Sequence, residues 1–162
     1  MERLVEALRE PVIKKRLFAI EELKNLLEKK GVKSHEWQSL IEPLSLVMRD
    51  NNFKLCKLSL ECLLLLVHET GDDFRPYCTP VLSSAIEKFA DNKDVVRENA
   101  VNLVTSMASI AGPEFVLKRL EGCYGHKSWR TREQVLAVIE KLSLQYKNEP
   151  AIESAEIIDM LA

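Results

Sequence analysis

The sequence predicts an all-α protein in which helical pairs stack into a solenoid. A basic turn recurs four times, beginning at Glu10, Asp50, Asp91 and His126, so that successive starts lie 40, 41 and 35 residues apart. Each turn leads into a long helix with an apolar stripe, and no segment alternates cleanly as a strand does. A period of this size is typical of HEAT or armadillo repeats, which place equivalent turns side by side along one edge.

The first repeat is expected over residues 1–31. A short amphipathic helix over 1–9 is followed by Pro11, which ends that helix or begins the next one. The partner helix over 12–30 carries apolar residues at three- and four-residue steps, and Gly31 is expected to cap it.

The second repeat is expected over residues 34–71. Ser34 is a suitable N-cap for a helix that runs to about Met48. The following helix over 53–70 is apolar on all sides and ends at Gly71. Such a helix should be buried between its neighbours.

The third repeat is expected over residues 72–112. Its first helix runs to about Ala90 and carries Pro76 and Pro80 early, so it should be bent or split. A long amphipathic helix over 95–111 completes the repeat.

The fourth repeat is expected over residues 113–148, with helices over 114–122 and 129–147. An extra amphipathic helix over 151–161 either covers the last repeat or begins a fifth one. All repeats belong to one domain over 1–162. We expect a monomer, with self-association through the extra helix as the alternative.

Composition narrows the function. The 162 residues are 46% apolar and 30% charged, as in an ordinary globular protein, and a net charge of −2 does not indicate nucleic-acid or membrane binding. The apolar run Leu63–Val67 is far too short to span a bilayer, and the N-terminus lacks a signal-peptide layout. These features predict an intracellular protein.

Side chains that carry catalysis do not cluster in the sequence. The three histidines lie far apart, and no phosphate-binding loop or metal motif is present. The cysteines form no CxxC pair and are expected to fill apolar space in a reduced cytosolic protein: Cys56, Cys62, Cys78 and Cys123. We expect neither a metal nor a cofactor, and no enzymatic activity.

The seventh residue of the aligned turns is an arginine in three of the four. The residues are Arg16, Cys56, Arg97 and Arg132, and a small residue follows three positions later: Ala19, Ser59, Ala100 and Val135. The small residue should allow close helix packing. Each arginine is expected to tie its repeat to an acidic side chain of a neighbouring turn, such as Asp50 or Asp91.

The turns are more basic than the rest of the chain. They hold nine Lys or Arg and four Asp or Glu, a balance of +5 in a chain of net −2. The basic residues other than the arginines of position seven are Lys14, Lys15, Lys54, Lys93, Lys127 and Arg130. This segregation favours docking of an acidic partner, with a merely solvated edge as the alternative.

Two aromatic residues occupy the fourth position of their turns. Phe53 and Trp129 either pack under the next helix or stand exposed as interface anchors. Packing is favoured for Phe53, and both arrangements stay open for Trp129. Their presence in polar turns favours the docking interpretation.

Four segments of the chain carry a family resemblance. The sequence HKSWRTRE over 126–133 resembles the fourth-repeat turn of the first TOG domain of the CLASP microtubule proteins. Residues 91–98, 52–54 and 15–17 are similar to the other three turns, although 91–98 is a general HEAT pattern. The resemblance covers 1–147.

The resemblance implies a flat HEAT-repeat domain that binds αβ-tubulin, as the free dimer or in the microtubule lattice, and regulates microtubule dynamics. It implies a location on cytoplasmic microtubules, including the spindle. Carried over by position, the contact candidates are Ile13, Lys14, Lys15, Asn52, Phe53, Lys54, Asn92, Lys93, Asp94, Lys127, Ser128, Trp129 and Arg130.

The chain departs from the family pattern in two respects. Ile13 stands where the polymerase class of TOG domains carries Trp, and four and a half repeats are present rather than six. The alternative function is a HEAT scaffold that holds another protein or peptide in a groove between helices, without touching tubulin.

Overall fold

The computed structural model describes residues 1–31 and 36–150, so the Ser34 cap and the extra helix over 151–161 lie outside the described residues. The described ranges form α-helices joined by turns and short 3-10 helices, and they contain no strand. The α-helices are α1 Glu2–Leu8, α2 Ile13–Lys30, α3 Gln38–Met48, α4 Phe53–Thr70, α5 Cys78–Glu87, α6 Asp94–Ser106, α7 Ala108–Ala111, α8 Pro113–Leu120 and α9 Trp129–Gln145. The predicted all-α HEAT solenoid is confirmed.

The chain divides into two compact units at the Tyr77–Cys78 junction. In the first unit α2 and α3 both pack against α4, and α1 covers α2 and α3. Gly31 and Gly71 end α2 and α4 with φ of 63° and 54°, values that glycine adopts without a Cβ clash. The helix α4 presents its small Ser59 to α3, where the hydroxyl donates to the carbonyl oxygen of Leu44.

An aromatic cluster closes the C-terminal end of the first unit. Phe74 stacks on Trp37 at 6.0 Å between ring centroids, and Tyr77 meets both rings edge-on. Phe74 and Tyr77 lie in a 3-10 helix over Gly71–Tyr77, which also contains Pro76. The helix expected up to Ala90 is therefore split, because Pro76 cannot donate the backbone hydrogen bond of a continuous α-helix.

The second unit packs α6 against α5 and α9, and α8 against α7 and α9. The single helix expected over 95–111 is interrupted at Met107, between α6 and α7. Ser106 Oγ donates to the Leu103 carbonyl oxygen at 2.7 Å, and the Met107 amide is shared between the Leu103 and Val104 carbonyls. This local competition for helix acceptors explains the break.

Candidate protein-interaction site

The four turns share one backbone geometry. The third residue of each turn is the N-cap of the following long helix and has an extended backbone, with φ from −92° to −76° and ψ from 112° to 123°: Val12, Asn52, Lys93 and Ser128. The fourth residue is therefore the first helical one in α2, α4, α6 and α9. The alignment made on the sequence is also an alignment in structure.

In the second, third and fourth turns the first residue accepts a hydrogen bond from the amide of the third and so bends the turn. Asp50 Oδ1 accepts from Asn52 N at 2.8 Å, and Asp91 Oδ1 accepts from Lys93 N at 2.9 Å. In the fourth turn His126 Nδ1 accepts from Ser128 N at 3.0 Å. An imidazole nitrogen is therefore the acceptor where the second and third turns have a carboxylate oxygen. The sequence comparison did not reveal this role of His126.

The arginine at position seven closes its own turn from the opposite side. In each case Nη1 donates to the main-chain oxygen of the turn's first residue: Arg16 to Glu10 at 2.8 Å, Arg97 to Asp91 at 2.6 Å, and Arg132 to His126. These carbonyls precede a helix and lack a helical donor, so the guanidinium satisfies them. Cys56 stands at this position in the second turn and is buried.

Among the residues that the structure describes, only the first turn extends this bracing to a neighbouring turn. Arg16 Nη2 donates to Asp50 Oδ2 at 2.7 Å, and both side chains are largely buried. Arg97 pairs instead with Asp94 of its own turn, and Arg132 meets no carboxylate among the described residues.

The expected tie between repeats is thus wrong for Arg97 and Arg132. Asp91 likewise receives no arginine side chain from a neighbouring turn within the described ranges, because position seven of the preceding turn is Cys56 rather than an arginine. The physical reason for Arg97 lies in the fourth turn. That turn begins with the imidazole of His126, which gives a guanidinium no anionic partner.

Apolar residues are exposed at the start of three of these helices. The exposed fractions at position four are 46% for Ile13, 38% for Phe53 and 56% for Trp129. The expectation that Phe53 packs inside is wrong, because the buried stripe of α4 begins only at Leu55. Val12 is also 47% exposed, and its place beside Ile13 is the one feature of the sequence that points to it.

Cationic side chains surround these apolar residues. Lys14, Lys54 and Lys127 are exposed and meet no carboxylate within 1–31 or 36–150. Lys15 lies 3.4 Å from Glu10, an exposed and therefore weak pair. The Arg130 guanidinium sits 5.0 Å from the centroid of the Trp129 ring, which holds the indole beside a positive charge.

The remaining candidates have different surroundings. The Asn52 side chain caps α4 by accepting from the amides of Lys54 and Leu55, and Ser128 Oγ accepts from Thr131 N. Asn92, Lys93 and Asp94 are exposed, with Asp94 engaged by Arg97.

Few features of the described residues indicate catalysis or metal binding. They contain no group of three metal-ligating side chains and no helix long and apolar enough to cross a membrane. Burial raises the pKa of the Cys62 thiol to about 12, so it stays protonated near neutral pH.

Known proteins share this architecture. The family described as EF3 N-terminal HEAT repeat matches residues 16–162. The solved MAST/Orbit N-terminal domain superposes with a TM-score of 0.82 at 22% identity, covering 99% of this chain and 81% of that one. An Arabidopsis thaliana CLIP-associated protein is 30% identical over 138 residues, which are 83% of this chain and 10% of the relative. The chain belongs to the HEAT-repeat family and is a TOG domain of the CLASP type.

Further relatives resemble this TOG domain. The Mus musculus TOG array regulator of axonemal microtubules protein 1 is 33% identical over 139 residues, which are 84% of this chain and 8% of the relative. A crescerin TOG domain, from an array described as regulating microtubules in the primary cilium, has a TM-score of 0.70 at 26% identity, covering all of this chain and 76% of that one. The TOG domain spans a tenth or less of the length of these curated relatives.

Proposed function

We propose that this TOG domain binds αβ-tubulin, as the free dimer or in the microtubule lattice, through its basic turns. It regulates microtubule dynamics by stoichiometric binding and resides on the microtubule cytoskeleton. One observation carries the proposal: three turns present an exposed apolar residue at a helix start, close in the chain to a lysine that meets no carboxylate in the described part of the protein. The name of one relative, a TOG array regulator of axonemal microtubules, supports the choice of partner.

The chemistry of these turns suits an acidic protein surface. Exposed lysines steer an acidic partner toward the turns and fix its orientation, whereas desolvated aromatic and branched side chains supply most of the binding free energy. Trp129 is the strongest anchor because it combines a large apolar surface with the adjacent Arg130 charge. Turn rigidity adds to affinity, since the bracing arginines reduce the entropy lost on binding.

Charge reversal tests the proposal. Lys54→Glu combined with Lys127→Glu places one reversal on each unit and should abolish co-elution with purified tubulin in size-exclusion chromatography. A matched control combines Lys29→Glu in the last turn of α2 with Lys147→Glu just after α9, which make the same change in net charge at exposed sites away from the turns. The control should bind like the wild type, and circular dichroism should show unchanged helicity in both variants.

Tubulin binding that survives the double reversal at moderate salt would show that the turns are not the interface. Loss of binding in the control as well would show that the change in net charge, and not the position of the two lysines, causes the loss of tubulin binding. Trp129→Ala should then weaken binding without altering helicity, since Trp129 is 56% exposed and is not among the buried residues of α9.

A groove between α1 and α2 favours the second candidate, a scaffold for another protein or peptide. Phe18 is 68% exposed beside Leu4, Ala7 and Ala19 in a cavity of about 380 Å³. An exposed apolar groove is a common docking site for helical peptides. A wild-type chain that fails to co-elute with tubulin, and whose apolar-dye fluorescence is lost in Phe18→Asp, would favour this function over the first.

A further inference from the structure

The fourth turn is bent by a neutral group, whereas the second and third are bent by carboxylates. The acceptor atoms are His126 Nδ1, Asp50 Oδ1 and Asp91 Oδ1, at 2.8–3.0 Å from the amide two residues later. The bond geometry is therefore conserved between turns while the charge is not. This difference falls in the turn that exposes Trp129.

His126 is held at two points, and both act on the start of α9. Its imidazole accepts from the Ser128 amide, and its carbonyl accepts from Arg132 Nη1. Together these bonds keep Ser128 extended, with φ of −76° and ψ of 118°, so that the helix begins at Trp129. The direction of the Trp129 side chain follows from that backbone, because Cα–Cβ vectors in a helix are set by the backbone.

The neutral imidazole also preserves the charge of the turn. Residues 126–132 hold Lys127, Arg130 and Arg132 and no acid, whereas residues 91–97 hold two acids and two bases. A carboxylate at position 126 would bend the turn equally well. It would also cancel part of the positive charge that faces an acidic partner.

We propose that His126 is a positioning residue, which fixes the exposure of Trp129 while leaving the fourth turn free of negative charge. The effect of His126 on affinity for tubulin rests on the proposed function, whereas its effect on the position of Trp129 does not. Three substitutions separate the two roles. His126→Ala removes the acceptor, His126→Asn keeps a neutral acceptor, and His126→Asp keeps the acceptor and adds charge.

The first measurement needs no partner. Amide hydrogen exchange at Ser128 should be about fivefold faster or more in His126→Ala, as the loss of one hydrogen bond predicts, and close to wild type in His126→Asn and His126→Asp. Acrylamide quenching of Trp129 should change in the same pattern. A Trp37→Phe background isolates that emission, because Trp37 and Trp129 are the two tryptophans of the chain. Unchanged exchange and quenching in His126→Ala would overturn the positioning role.

The second measurement is the affinity for tubulin by titration. His126→Asn should match the wild type, and His126→Ala should bind about fivefold more weakly. His126→Asp should also bind more weakly at low salt, with a deficit that shrinks as salt screens the added charge. His68→Asp adds an acid at the exposed far end of α4 and should leave the affinity unchanged.

The outcomes separate the two proposals. If the wild type does not bind tubulin while Ser128 exchange follows the expected pattern, the proposed function fails and the positioning role stands. If His126→Asp binds as tightly as His126→Asn at low salt, the charge argument is wrong. Normal affinity in His126→Ala despite faster exchange would show that Trp129 does not depend on this bond for binding.

Discussion

The two units use the same turn geometry but connect their turns differently. In the first unit Arg16 reaches Asp50 of the next turn, and Lys24 Nζ lies 2.9 Å from Glu61 Oε2 between α2 and α4. In the second unit Arg97 stays within its own turn. There a hydrogen bond to an uncharged amide joins α6 to α9, from Lys141 Nζ to Asn102 Oδ1 at 2.7 Å.

The comparison shows that the arginine at position seven can close its own turn and can also join that turn to the next one. The guanidinium always uses Nη1 for the carbonyl of its own turn, and Nη2 takes whichever carboxylate is within reach. For Arg16 that acid begins the next turn, and for Arg97 it is Asp94 one turn of helix away. Coupling by charge therefore needs both an arginine at position seven and an acid at the start of the following turn, as in Arg16 and Asp50.

The largest expected effect concerns what the units have in common, an apolar core. Phe74→Ala in the first unit and Phe89→Ala in the second each empty a fully buried site. Each should lower the free energy of unfolding by about 3–5 kcal/mol, measured by urea denaturation. Phe18→Ala is the matched control and should change it by less than about 0.5 kcal/mol, because Phe18 is exposed. A cost near that of the control for either buried site would show that the core of that unit is loosely packed.

The next effect distinguishes the units directly. Asp50→Ala should cost about 2–3 kcal/mol, because it removes the bend of the second turn and leaves the largely buried Arg16 without its anion. Asp91→Ala should cost about 1 kcal/mol, since it removes the bend alone. Urea denaturation of both variants measures the difference. Equal costs would mean that the Arg16–Asp50 pair does not couple the first two turns energetically.

The smallest effect is a pH dependence confined to the charged tie of the first unit. The hydrogen bond to Glu61 raises the pKa of Lys24 above its ordinary 10.5, although partial burial opposes the rise. A raised pKa means that the pair stabilises the folded chain fully below the pKa of lysine in the unfolded chain. That stabilisation is lost as pH rises through the higher folded value.

Lys24→Met should therefore show a smaller loss of stability between about pH 9 and about pH 11.5 than the wild type, by less than about 1 kcal/mol. Thermal unfolding at the two pH values measures it. The Lys24 charge partly offsets the raised pKa of Cys62, whose ionisation also lowers stability in this range, so Lys24→Met and its reference are both measured in a Cys62→Ala background. An identical dependence of stability on pH in Lys24→Met and its reference would show that the Lys24–Glu61 pair does not contribute to it.

Periodicity predicted most of the helices, and turn chemistry predicted their ends. The bounds of α4 agree with the expected 53–70, and Gly31 and Gly71 cap their helices as expected. The helix over 95–111 was predicted as continuous because side-chain competition at Ser106 leaves no mark in an apolar pattern. The exposure of Phe53 was missed because periodicity places a residue near a stripe without showing which residue first meets the neighbouring helix.

The positions of the four turns, their alignment and their local charge could be predicted from the sequence alone. These properties depend on short-range spacing and on residue type. The Arg16–Asp50 pair was among the expected ties, and the structure contains it. Only the tertiary structure decided that Arg97 and Arg132 close on their own turns and that His126 acts as a turn acceptor. The reason is that a guanidinium or an imidazole can form hydrogen bonds with several kinds of group, both main-chain and side-chain. Packing of neighbouring helices selects among them by bringing one within about 3 Å.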